Sequence, residues 1–253
     1  MRSESAGPTL PLTRLTCPWG AGERRWVELA RLLGDQLVAV AAEHGDGLCW
    51  PNAMFPEGVG GFAHGATGIG WALARLAEVT GDRTHAATAH AAFAYEESLY
   101  DAGRRGWRDL REEGQITAAW CHGAVGIGLA ALDLLRRGGD PRWRDVVRRA
   151  AASAWERGIG WNHTCCHGDL GAWELVTEAM TVGLGPPGLD RPTADAYVVS
   201  SIEEHGVVTG IARDAFSPAL LPAAGGIAYQ LLRLAAGDRL PSVLLPDPGG
   251  VTS

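Results

Sequence analysis

The sequence predicts an all-α protein assembled from helical hairpins, and three observations carry that prediction. Apolar residues recur at three- and four-residue spacing in segment after segment. Alternating runs of β-branched residues are almost absent; Val198-Val199 and Val207-Val208 are too short to found a sheet. A glycine-anchored pattern also returns about every fifty residues along the chain, each time opening an apolar helix.

The elements follow in order. Trp26 to Ala42 places Val27, Leu29, Ala30, Leu33, Leu37 and Val40 on one side and Glu28, Arg31 and Asp35 on the other, the pattern of an amphipathic helix. Ala66 to Thr80 repeats this with Leu73, Leu76 and Val79, and Gly81 is its natural C-terminal stop. The Ala-rich stretch Arg83 to Tyr100 is expected to pack back upon it. Further pairs are expected over Val125–Arg137 with Arg142–Arg157 and over Asp169–Val182 with Thr193–Glu204. A last helix is expected over Ile227–Ala236. Residues 1–22 are broken by Pro8, Pro11 and Pro18 and are expected to be irregular. The helical domain then runs over 23–246, with a short tail at 247–253.

Four segments align under this pattern: Phe62-Ala63-His64-Gly65-Ala66-Thr67-Gly68, Trp120-Cys121-His122-Gly123-Ala124-Val125-Gly126, Cys165-Cys166-His167-Gly168-Asp169-Leu170-Gly171, and Leu221-Pro222-Ala223-Ala224-Gly225-Gly226. One helix pair per unit at this period describes an α/α array, open or closed. The glycines allow each inner helix to start tightly, with its N-terminus directed at a shared centre.

At 253 residues and 26.7 kDa the chain can bury a substantial core. Its 29 acidic against 22 basic residues give a formal charge of −7, which argues against a coat for nucleic acid or an anionic membrane. Every basic residue is arginine, as a GC-rich bacterial coding bias would produce. No stretch of about 18 apolar residues offers a membrane span. No signal peptide is recognisable at the N-terminus, so a cytoplasmic location is the expectation. Five cysteines in a reducing compartment point away from a disulfide framework and toward metal binding or catalysis.

Cysteine and histidine gather at the repeat starts: His64 before the first inner helix, Cys121 before the second, Cys166-His167 before the third. On a helix, consecutive residues diverge by about 100°, so Cys166 and His167 could share an ion only in a turn. A helix N-terminus favours the thiolate that zinc requires. Two thiolates and one imidazole leave a tetrahedral position open, the arrangement of catalytic rather than structural zinc. Buried small cysteines of an inner wall are the plainer reading of the same residues.

These motifs resemble the cyclase domain of lanthionine synthetases, above all the C-terminal part of the bifunctional class II enzymes. The resemblance rests on Gly61 to Gly68, on Trp120-Cys121-His122-Gly123 and on Asn162 to Gly171. It extends through Phe93-Ala94-Tyr95-Glu96, Gly226-Ile227-Ala228-Tyr229 and Leu240 to Leu245. It implies an α/α toroid around a central zinc and a place in lanthipeptide antibiotic biosynthesis. The implied reaction is addition of a peptide cysteine thiol to dehydroalanine or dehydrobutyrine, closing a thioether ring in a dehydrated precursor peptide. Matched position by position, Cys121, Cys166 and His167 would be the zinc ligands and His64 the active-site histidine that handles the proton.

The family's ring has seven such hairpins, and four are found here. The aspartate that pairs with the histidine in the family has no matching motif, and no dehydratase domain is present. An incomplete toroid is therefore expected, either active or a non-catalytic zinc- and peptide-binding remnant. It could also be a subunit of a split synthetase, with a dehydratase or a ring-completing chain as partner. An α/α-barrel carbohydrate enzyme is a weaker reading, because it needs two inward carboxylates.

Several other residues stay open at this stage. Cys165 rivals Cys166 as a ligand, and His163 reads as a turn residue or as a fourth ligand. His122 either lines the cavity or supports a neighbour from outside. Asp109 and Arg111 belong to a peptide groove or to a solvated loop. Cys17 and Cys49 read as free thiols, and Trp71, Trp120 and Trp173 as packing residues.

Overall fold

The computed structural model describes residues 21–112, 115–211 and 216–245. Helix α1 (Ala21–Ala39) leads through a hairpin of β1 (Ala42–His44) and β2 (Gly47–Cys49) into three helix pairs. These are α2 (Ala66–Thr80) with α3 (Arg83–Ser98), α4 (Ala124–Gly138) with α5 (Arg142–Arg157), and α6 (Asp169–Thr181) with α7 (Arg191–His205). Helix α8 (Ala224–Ala236) and a 3-10 turn at Gly237–Arg239 complete the array. Between α3 and α4 lies a small antiparallel sheet of β3 (Tyr100–Asp101), β4 (Gly106–Asp109) and β5 (Gln115–Ile116).

The all-α expectation holds, with two departures. The first helix starts at Ala21 and ends at Ala39, because Ala42 pairs with Cys49 in the β1–β2 hairpin instead of continuing the helix. The second is that Tyr100 leaves α3 to pair with Trp107. The strands are two to four residues long, too short for any alternation to announce them. Cys17 lies outside the described residues.

The inner helices α2, α4, α6 and α8 all begin alike. Their N-cap residues Gly65, Gly123, Gly168 and Ala223 share an extended backbone, with φ of −145°, −155°, −132° and −146°. Ala223 adopts this conformation as readily as the glycines, so the extended backbone alone does not demand glycine. Close approach does, three residues on. A Cβ on Gly68, Gly126, Gly171 or Gly226 would lie 1.8, 2.0, 2.1 or 1.7 Å from the carbonyl oxygen of Phe62, Trp120, Cys165 or Leu220. Each anchoring glycine thus lets the turn before its helix fold tightly against the helix's first residues.

The turns are also stitched to one another across repeats. The Ala63 N–H donates to the Cys121 carbonyl at 2.9 Å, the Trp120 N–H to the Cys166 carbonyl at 2.8 Å, and the Cys166 N–H to the Leu221 carbonyl at 3.1 Å. Four helix starts are therefore held side by side by backbone bonds, which fixes the relative position of whatever side chains the turns carry.

The core lies between the two rows of helices. Helix α4 buries nine consecutive residues, Ala124 to Leu132, and α6 buries Asp169 to Thr177. A helix apolar nearly all round is one with neighbours on every side. Leu175, Val176, Val125 and Leu129 join one cluster with Tyr95 and Trp107. Two buried carboxylates tie turns to this frame. Glu96 on α3 accepts from the N–H groups of Gly61 (2.8 Å) and Thr67 (3.3 Å) and from the Thr67 hydroxyl (2.8 Å). Glu174 on α6 accepts from Gln230 and Ser242 and pairs with Arg233 at 2.7 Å, drawing α8 and the C-terminal segment together.

Candidate metal centre

The turns that open α2, α4 and α6 converge at one end of the array, and each carries a histidine just before its N-cap. The ring of His64 lies 6.4 Å from that of His122, and the ring of His122 lies 5.6 Å from that of His167. Three consecutive repeats thus contribute three imidazoles in a row. His64 is exposed at the outer edge, His122 is half-buried, and His167 is exposed. Glu96 anchors the turn that carries His64 through Gly61 and Thr67, on either side of it.

The sulfurs sit deeper. Cys121 Sγ lies 2.8 Å from His122 Nδ1 and 3.2 Å from His167 Nε2, and Cys166 Sγ lies 3.9 Å from His167 Nε2. The Cys121 thiol donates to Cys166, which raises the Cys121 pKa; the same bond lowers that of Cys166. Hydrogen bonding to the Cys121 sulfur raises the pKa of His167. One donor atom from each of Cys121, His122 and His167 lies within 4.8 Å of the others. Since Cys166 and His167 occupy a turn and not a helix, the divergence of consecutive helical residues does not separate them.

The remaining candidates fall elsewhere. Cys165 is fully buried, with its sulfur against Gly226 of the next repeat, and burial pushes its thiol up to about 12. Both nitrogens of His163 are engaged: Nε2 lies 3.1 Å from the Ser201 hydroxyl, and Nδ1 accepts the Val208 N–H at 3.0 Å. That is the turn residue of the two readings. Cys49 is a buried free thiol, raised by burial. Trp120 packs against Phe62, and its indole N–H donates to the Leu244 carbonyl at 2.8 Å, so the C-terminal segment braces the turn that carries Cys121.

Asp109 and Arg111 belong to the site's wall rather than to a solvated loop. Asp109 ends β4, is 6% exposed, and faces His122 Nε2 at 3.5 Å through Oδ2. Arg111 grips the same carboxylate from the other side, with Nε to Oδ1 at 3.0 Å and an NH2 to Oδ2 at 2.9 Å. These bonds lower the Asp109 pKa despite burial, which acts to raise it.

The donor set fits a tetrahedral cation. Zinc–sulfur and zinc–nitrogen bonds of about 2.3 and 2.0–2.1 Å place neighbouring donors roughly 3.3–3.8 Å apart. The separations of 2.8, 3.2 and 3.9 Å bracket that range, so small side-chain rotations would satisfy it.

Comparison with known proteins bears on the fold and the family. No curated protein matches the sequence. Among solved structures, one titled "Nisin cyclase" shares the fold with a TM-score of 0.62 at 20% identity, covering 84% of this chain and 58% of that one. The chain thus spans less than two thirds of that neighbour's length, and its α/α toroid is an incomplete one of about four hairpin repeats. The family described as "Lanthionine synthetase C-like protein" matches residues 40–245. That match takes in both helix rows and all four glycine-anchored turns, and the chain therefore belongs to the lanthionine synthetase C-like family.

Proposed function

We propose that the chain is a zinc-dependent lanthipeptide cyclase, which adds peptide cysteine thiols to dehydroalanine or dehydrobutyrine to form thioether rings. The observation that carries this reading is the convergence of Cys121, Cys166 and His167 at the junction of two repeats, in a chain of this family. Those three residues hold the cation. When bound there, zinc supplies a Lewis acid that keeps a cysteine sulfur deprotonated near neutral pH.

The protein's own groups do the rest. The backbone bonds between turns hold the two sulfurs and the imidazole in register before any ligand arrives, so little reorganisation is needed. The exposed His64 stands at the edge where a peptide can approach, and it serves as the acid that delivers a proton to the α-carbon once sulfur has bonded to the β-carbon. The addition is balanced: one S–H and one C=C become one S–C and one C–H.

The substrate is a dehydrated precursor peptide. A dehydratase must supply it, and the chain's place is the cytoplasm. A second reading is favoured by one observation, the limited span against the structural neighbour. In that reading the chain is a non-catalytic remnant, or a subunit that another chain completes.

Incubating the purified chain with a dehydrated, cysteine-containing peptide and counting alkylatable thiols by mass spectrometry separates the two. Loss of thiols with wild type, abolished in Cys166→Ala and slowed in His64→Asn, supports the cyclase. Full retention of thiols by a folded, zinc-loaded chain supports the remnant.

A further inference from the structure

His122 has the surroundings of a metal ligand and not of a bystander. Its Nδ1 is 2.8 Å from Cys121 Sγ, inside the donor cluster. Its other nitrogen, Nε2, faces the buried carboxylate of Asp109 at 3.5 Å. A metal-bound imidazole characteristically turns its second nitrogen to a carboxylate, which fixes the tautomer and the ring plane. Among the described residues no such carboxylate stands against His167.

The carboxylate is itself immobilised. Arg111 holds it by two side-chain bonds and by its own backbone N–H at 3.0 Å. The guanidinium already balances the charge of Asp109, so His122 is not needed for that purpose. The chain Arg111–Asp109–His122 therefore ends with Nδ1 against the Cys121 sulfur.

We infer that His122 is a fourth, displaceable donor to the cation site, braced by Asp109 and Arg111, and that a substrate sulfur enters by taking its place. This rests on the zinc reading above and adds to it. The site closes on itself as two thiols and two imidazoles when no peptide is bound, and it opens by exchange of His122 for the incoming thiol, whose proton passes to solvent. A closed four-donor site protects the cysteines from oxidation and from adventitious thiols. The same closure makes peptide entry a competition that a small thiol wins only at high concentration.

The test uses the full chain, with zinc affinity measured by chelator competition and Co²⁺ loaded as a spectroscopic probe titrated with 2-mercaptoethanol. His122→Ala should still bind one metal per chain, about 10–100-fold more weakly, and should need less thiol than wild type for half-conversion of the cobalt spectrum. Asp109→Asn keeps the imidazole and should shift both readings in the same direction by less; added to His122→Ala it should change nothing further.

If both variants fold, by circular dichroism, and match wild type in affinity and thiol midpoint, the inference falls while the zinc reading stands. If His122→Ala fails to fold, Asp109→Asn alone decides by the same criterion. If wild type binds no metal while folded, both fall together.

Discussion

The second and third inner helices differ from the first helix in one respect that governs the rest. Helix α4 has neighbours on every side and buries Ala124 through Leu132 without a break. Among the described residues helix α1 packs chiefly against α2 and α3, and it leaves Trp26 68%, Leu32 59% and Leu33 62% exposed. Their sequences differ in step with this: α4 carries no charge from Ala124 to Leu132, whereas α1 sets Glu28, Arg31 and Asp35 among its apolar residues. In a repeat array stability is gained at the interfaces between units, so the interior units are held twice and the terminal ones once. The cysteine–histidine cluster lies at the starts of α4 and α6, where packed units stand on both sides and hold the turns that carry it.

This contrast can be broken by substitution. Leu175→Ala, fully buried on α6, should cost about 2–5 kcal/mol in denaturant unfolding. Gly126→Ala should be comparably damaging, because its Cβ would lie 2.0 Å from the Trp120 carbonyl and 2.5 Å from Phe62, both backed by the rest of the array. A Gly126→Ala protein with unchanged stability would mean that the turns are not packed as described.

A smaller effect is expected at the cap of α3. Asp82 accepts the N–H groups of Thr84 and His85, and these bonds hold its carboxyl below the ordinary range. Its contribution is therefore present above the unfolded pKa of about 3.9 and is lost as pH falls through the lower folded value. Asp82→Ala should lower Tm at neutral pH, and the difference should vanish in strong acid. A constant difference across pH would assign the loss to something other than the charged cap.

The smallest effect belongs to the exposed end. Leu33→Ser should change stability by no more than about 0.5 kcal/mol. A loss as large as that of Leu175→Ala would show that the outer face of α1 is covered in solution.

The two regions also differ in how much of them the sequence discloses. Helices α2 and α5 begin and end where apolar spacing and, for α2, Gly81 place them, because those signals are local. The β1–β2 and β3–β4–β5 ladders left no such trace, since their pairing depends on chain reversals rather than on alternation. At the site, the nearness of Cys121, His122 and His167 could be anticipated because the repeat superposes the turns that carry them. The contact between Asp109 and His122 could not. It depends on how β4 delivers a carboxylate across the small sheet to the turn before α4, which no spacing encodes.

The most direct test of the account is zinc per chain, by elemental analysis after dialysis, in wild type beside Cys121→Ala and Cys166→Ala. A ratio near one in wild type and near zero in both folded variants is the predicted result. Wild type that folds with its full helical content and retains no zinc would contradict it, as would variants that keep the metal.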